Sequence, residues 1–297
     1  TLGHDQLLQL TGQARCEILL GLALVRIAVV VRRGRVQEAG QRQVEIRLQV
    51  RQAGQAAGNA GRAVEGALAG NVGKLYTGYI KLPYYQTAPG TLPFGAFLTR
   101  AWTPDLTLAA AIKATVPADV DKSYNLTYRF PFAAKTTDES VPLQVTLPEK
   151  TWVPGYAASL NCGQIYAASG YPVVIYVHGI TSDRTSGLAL AHTLASKCVA
   201  TVAIDLPLHG VAANSAFVSV LNVEKSQMIP FATLYGADAP HERHFNVAGP
   251  GGAPAPMNFA APTANDGSGA QFTNLGYLLN TRDNNREGVV DLLNLNA

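Results

Sequence analysis

Two histidine-glycine pairs carry the chemistry most worth reading in this chain. Val173 to Gly210 runs VVIYVHGITSDRTSGLALAHTLASKCVATVAIDLPLHG: one apolar run ends in His178-Gly179, a second in Asp205-Leu-Pro-Leu-His209-Gly210. A strand that ends in His-Gly can lead into a loop whose backbone N–H faces the oxygen that turns negative during acyl transfer. Such a donor has to be a main-chain group held rigidly. The candidates are the N–H of Ile180 and, second, that of Thr181. His178 reads as a brace for the loop rather than a base. Asp205, His209 and Gly210 read as the hydrogen-bonded frame of the second turn. The nucleophile is missing from the pattern, because no Gly-x-Ser-x-Gly occurs in the 297 residues.

Other polar residues carry weaker signals. Ser182 and Ser186 stand at an expected helix start, where capping accounts for them. Gly267-Ser268-Gly269 lacks both the elbow spacing and a preceding apolar strand. His241 and His244 have helix-compatible spacing for two metal ligands, but no third ligand is evident, so no metal site is assigned. Arg282 and Asp283 read as organisers of a helix start.

The elements that must position these groups follow from periodicity. Val173 to Val177 and Val199 to Ile204 are continuous apolar runs, the pattern of strands covered on both faces. Leu188, Leu190, Ala191 and Leu194 give Ser186 to Lys197 a helical period. Strand, helix and strand of these lengths make a parallel crossover. Upstream, Leu75 to Leu82 reads as a strand stopped by Pro83, and Val141 to Leu147 as a half-buried strand. Asn161 to Pro172 reads as a turn-rich connection. Val211 to Gly269 is a long, Gly- and Pro-rich stretch of the functional or partly structured kind. Thr281 to Asn294 reads as a closing helix, with Thr281 as N-cap and Val289, Val290, Leu292 and Leu293 as its apolar face.

Composition separates residues 1–73 from the rest. They hold nine Arg, no Lys and five acids, a net +4, and contain no Ser, Pro, Met or aromatic residue. Without aromatics such a segment lacks the usual material of a core. It reads as atypical, non-native or disordered, with a small β-rich or helical extension as the alternative. Within it Gln41 to Val50 alternates like a strand. Ile18 to Val31 is too short, and too interrupted by Arg26, to span a membrane, and no signal peptide is readable. Residues 74–297 carry a net −1, so no basic stripe invites nucleic acid. Cys162 and Cys198 lie 36 residues apart. They read either as a bridge closing a loop worth about 3–4 kcal/mol or, for Cys198, as a buried thiol.

The ordered blocks resemble a known family. LYTGYIKLPYY from Leu75, VPLQVTLP from Val141, the His178 and Asp205 blocks, ERHFN from Glu242 and GSGAQFTNLGYLLNTRDNNREGVVDLLNL from Gly267 are similar to the N-terminal part of the bacterial virulence-factor lipases, extracellular lipase and lysophospholipase-like α/β-hydrolases. The resemblance covers roughly residues 74–295. It implies an α/β fold: an incomplete α/β-hydrolase parallel sheet in 151–297, preceded by a β-rich N-terminal domain in 74–150. It implies hydrolysis of carboxylic, lipid-type esters by a Ser-His-Asp triad, no cofactor, a lipid or ester substrate as partner, and an extracellular or cell-envelope location. No triad residue carries over. The motif residues that do are His178, Gly179, Asp205, His209 and Gly210, with Ile180 and Thr181 in the oxyanion loop. The chain alone is therefore expected to be inactive. The alternatives are a non-catalytic binding or surface module, or the product of a gene fragment. Oligomeric state is left open.

Overall fold

The computed structural model describes residues 13–20, 23–30, 72–90, 92–113, 126, 130–154, 160–227, 229–249 and 253–296. The strand expected over 41–50 lies outside them. Near the start, β1 (Gln13–Leu20) and β2 (Ala23–Val30) pair antiparallel as a hairpin, Leu20 opposite Ala23.

A mixed four-stranded sheet follows, in the order β3-β4-β6-β5. Its strands are β3 (Gly73–Tyr84), β4 (Thr137–Pro148), β5 (Val173–Tyr176) and β6 (Ala200–Ile204). Strand β6 is the organiser. It pairs parallel with β5, Val173 opposite Ala200, and antiparallel with β4, Leu143 opposite Ile204. Segments 74–150 and 151–297 thus contribute strands to one sheet. Helices are short until the last: α1 (Leu106–Lys113), α2 (Cys162–Ser169), α3 (Leu188–Ala195), α4 (Val218–Leu221), α5 (Phe231–Tyr235) and α6 (Leu278–Asn296). None among the described residues is long and apolar enough to cross a membrane.

Sheet position explains where burial departs from expectation. Strand β4 is central, so Val141 to Thr146 is buried on both faces rather than one, and the Gln144 side chain donates to the Arg184 carbonyl at 3.1 Å. Strand β5 is an edge of this sheet, so Val173 is exposed and only Val174 of its four residues is fully buried. Strand β3 runs through Pro83 to Tyr84 instead of stopping before it. Ser186 is not the N-cap of α3, a position held by Gly187. A 3₁₀ turn over Arg184–Gly187 precedes α3, and the Ser186 hydroxyl lies 3.1 Å from the Tyr176 hydroxyl.

The stretch before β5 holds a helix, not only turns. Asn161 accepts from the Gln164 N–H at 2.8 Å while Gln164 accepts from the Asn161 N–H at 3.1 Å, a reciprocal cap that starts α2. Its first residue, Cys162, is bonded to Cys198, with the Cα atoms 5.1 Å apart. Closing a loop of this length restricts the unfolded chain. Replacing both cysteines with Ala is expected to cost about 2–4 kcal/mol, read as a lower urea midpoint. An unchanged midpoint under both oxidising and reducing conditions would remove the bridge as a source of stability.

The chain divides into two compact units. One takes Thr1–Gly78, Leu143–Val177 and Arg184–Ile204; the other takes Tyr79–Pro142, His178–Asp183 and Asp205–Ala297. In the second, Phe97, Leu98, Leu208 and Val247 form one apolar cluster and Ala212, Ala213, Ala248 and Met257 another. Helix α6 is built against its expected orientation. It buries Asn280, Asp283, Asn284, Glu287 and Asp291, and leaves Leu278, Leu279, Val289 and Leu293 exposed. The polar face turns inward because main-chain groups need it. Glu287 accepts from the N–H groups of Tyr85 and Gln86, Asp283 from that of Trp102, and Asn280 donates to the Arg100 carbonyl. Thr281 is inside the helix rather than capping it; its hydroxyl accepts from the Asn274 N–H at 2.7 Å and donates to the Asn274 carbonyl at 3.0 Å.

Candidate functional site

The loops that leave β5 and β6 are joined by side chains of the second unit. Directly after β5, His178 is buried. Its Nε2 accepts from the Leu206 N–H at 3.0 Å. The proton must then sit on Nδ1, which donates to the Gly179 carbonyl at 2.9 Å. Both ring nitrogens are occupied, so His178 has no lone pair for a substrate proton. It ties the first loop to the second. Asp205 Oδ1 lies 3.7 Å from Nε2, and both side chains are fully buried.

His209 is buried too, with Nδ1 2.8 Å from the Pro207 carbonyl. Its ring stacks between His178 and Phe272, with centroids 4.8 and 4.9 Å away. Burial, and then the neighbouring His178, push its pKa down to about 4. It is therefore neutral near pH 7. Its Nε2 takes no hydrogen bond and faces Gly269, where a Cβ would overlap the imidazole. Gly269 also has φ +66°, so glycine is required there twice over.

Between the two histidine turns stands Ser268. Its hydroxyl accepts from the Gly210 N–H at 3.2 Å and donates to the Ser182 carbonyl. A single buried oxygen thus links the loop after β5 to the turn after β6. The Ser182 main-chain carbonyl is part of this link. Ser268→Ala would leave the Gly210 N–H buried without its acceptor, a cost of about 1–3 kcal/mol. A urea midpoint indistinguishable from the parent's would mean that the link is dispensable.

The link holds a turn of particular shape. The Ser182 N–H donates to the Gly179 carbonyl at 3.2 Å, placing Ile180 and Thr181 at the turn's two central positions. Thr181 has φ +67°, a left-handed conformation in which a β-branched residue is an outlier. Strain of this kind persists where the surroundings enforce it. Ile180 is 55% exposed. Among the described residues no hydrogen bond engages the N–H of Ile180 or of Thr181. Two free main-chain donors therefore sit on an exposed, braced turn.

The remaining candidates are structural. His244 accepts from the Asn246 N–H at 2.9 Å, and His241 packs its ring on Phe245. Neither lies on a helix, and among the described residues no three His, Cys, Asp or Glu side chains converge as a metal site. Arg282 pairs with Asp283 at 2.7 Å inside α6 rather than at its start, and Asp283 also accepts from the Trp102 N–H. Sequence reasoning missed the charged group around Arg243. This fully buried residue donates to the Asp205 carbonyl at 2.6 Å and pairs with Glu139 at 3.1 Å and Asp291 at 2.8 Å. Its partners lie 104 and 48 residues away in sequence, too far for any local pattern to announce. The one available signal was the rarity of charge, 14% of the chain.

Comparison with known proteins is negative throughout: no protein-family model, curated protein or solved structure matches this chain.

Proposed function

We propose that this chain carries the oxyanion-loop portion of a lipase-like carboxylic-ester hydrolase of the α/β-hydrolase type. The observation that carries the reading is the braced turn with two unengaged N–H groups, Ile180 and Thr181, at the end of a strand parallel to its neighbour. Open α/β sheets place ligands beyond the carboxyl ends of their parallel strands, which is where this turn lies in the chain. His178, Asp205, His209 and Gly210 serve as the frame, and none is a base or nucleophile. The Cys162–Cys198 bond supports an oxidising location such as the cell exterior or envelope.

On this reading the 297 residues alone hydrolyse no ester, because no Gly-x-Ser-x-Gly is present. Purified chain incubated with a p-nitrophenyl ester should show only background release. Turnover abolished by changing one internal serine would sink the reading. A second experiment addresses the donor itself. If a longer form of this protein carrying a Gly-x-Ser-x-Gly segment is isolated, the variant to make in it is Ile180→Pro, which removes one N–H at a turn position where proline fits. It should lower kcat about 10²–10³-fold with little change in KM. Unchanged kcat would exclude the Ile180 N–H as donor.

A further inference from the structure

The outward face of α6 plays no part in the hydrolase reading. Because the helix buries its polar residues, an apolar stripe is left on the solvent side. Leu279, Arg282, Arg286, Val289 and Leu293 follow one another at alternating steps of three and four residues. That spacing keeps them in one line for about 21 Å along the helix. Leu279, Val289 and Leu293 are 46%, 58% and 65% exposed, and Leu278 flanks the first of them.

The stripe also carries charge of one sign. The acids of α6 are Asp283, Glu287 and Asp291, and all three are buried. Its bases, Arg282 and Arg286, keep 39% and 42% of their side chains exposed. Both guanidiniums lean on the single Asp283 carboxylate, at 2.7 and 3.1 Å, and the Trp102 N–H draws on the same group. One carboxylate cannot neutralise two cations, so the middle of the stripe is positive and its ends are apolar.

We propose that this face docks an amphipathic helix of a partner protein, apolar at both ends of its contact face and acidic in the middle. Steps of three and four are the spacing at which two helices interlock side chains along a seam. Carboxylates opposite Arg282 and Arg286 match guanidinium donors in geometry as well as in charge. A second copy of α6 fits poorly, because full overlap of the stripe with itself, parallel or antiparallel, sets Arg286 against Arg286. A lipid surface fits poorly too. Helices that lie on membranes hold their cations on the face opposite the apolar one, whereas here inserting the leucines would draw both arginines to the same depth.

The test is fluorescence anisotropy of the whole chain with a labelled helical peptide of about three heptads, Leu along its seam and Glu at the two central seam positions. Saturation below about 50 µM, at least ten-fold tighter than for the same peptide with Lys in place of Glu, is the expected result. Arg282→Glu with Arg286→Glu should reverse the order of the two peptides. If that variant does not fold, Val289→Glu with Leu293→Glu decides the matter: both positions are exposed, and binding should vanish while circular dichroism stays that of the parent. Equal affinity for the two peptides, no saturation, or undiminished binding in the folded Val289→Glu, Leu293→Glu variant would each overturn the proposal. So would adsorption to phosphatidylglycerol vesicles, or a dimer in sedimentation velocity, that this same variant abolishes.

Discussion

Arg243→Met is expected to destabilise the chain by about 3–5 kcal/mol, a large share of the stability of a domain this size. The residue is 1% exposed and joins three groups: the Asp205 carbonyl, Glu139 and Asp291. Methionine replaces the stem but none of the donors. Two carboxylates would then be buried beside each other with no counter-charge, and the carbonyl that follows β6 would lose its partner. The cost comes from those stranded groups more than from the strength of the original pairs. A further expectation follows. Replacing all three charged residues together (Arg243→Met, Glu139→Leu, Asp291→Leu) should recover much of the loss, since no charge is left uncompensated. Urea denaturation of the parent, the single and the triple variant measures both effects. A single-variant loss under about 1 kcal/mol would show that the cluster is not a source of stability.

The same cluster shows what could be read from sequence and what could not. The β5–α3–β6 unit was legible because continuous apolar runs and a helical period are local signals, and the structure returns them within a few residues. The two His-Gly turns were legible in position for the same reason: each follows one of those runs within about five residues. Helix α6 was legible as a helix but not in its orientation. Its apolar residues suggested an inward face, yet the N–H groups of Tyr85, Gln86 and Trp102 decide the matter from about 180–200 residues away. Local patterning carries no information about such demands. The cysteine pair shows the same limit, since spacing permitted a bridge or a buried thiol and only proximity in space selects between them. The Asn161 cap could have been found, because Asn-x-x-Gln is a local motif. It was obscured by the Gly and Pro on either side of a helix only eight residues long.

Stability is also expected to fall as pH rises from about 5 to 8, the reverse of a chain whose buried acids are held ionised. Glu287 is pushed up to about 8, first by burial and then by the Asp291 charge, against the pull of Arg243 and of the Tyr85 and Gln86 N–H groups. Asp291 is pushed up to about 6, again first by burial, with Arg243 opposing. An acid with a raised folded pKa keeps its proton in the folded state where the unfolded chain has released it. Between the two values stability therefore drops with pH, by about 1.4 kcal/mol per pH unit for each group. His209, pushed down to about 4, acts in the opposite sense. Below its unfolded value of 6.5 the unfolded chain takes up a proton that the folded chain refuses, so this contribution rises with pH and is complete above that value. From about pH 4.5 to 6 the Asp291 and His209 slopes cancel and Glu287 sets the trend. Above about pH 6.5 Glu287 acts alone, and the loss from there to pH 8 should be about 2 kcal/mol. Glu287→Gln keeps an acceptor for the Tyr85, Gln86 and Trp102 donors without the charge, so it should flatten that upper limb specifically. Urea midpoints at about pH 5, 6.5 and 8 for parent and variant measure the slope. Stability that rises across the upper interval, or a slope that survives in Glu287→Gln, would mean that Glu287 is ionised in the folded chain. The three N–H donors would then outweigh the burial that opposes its charge.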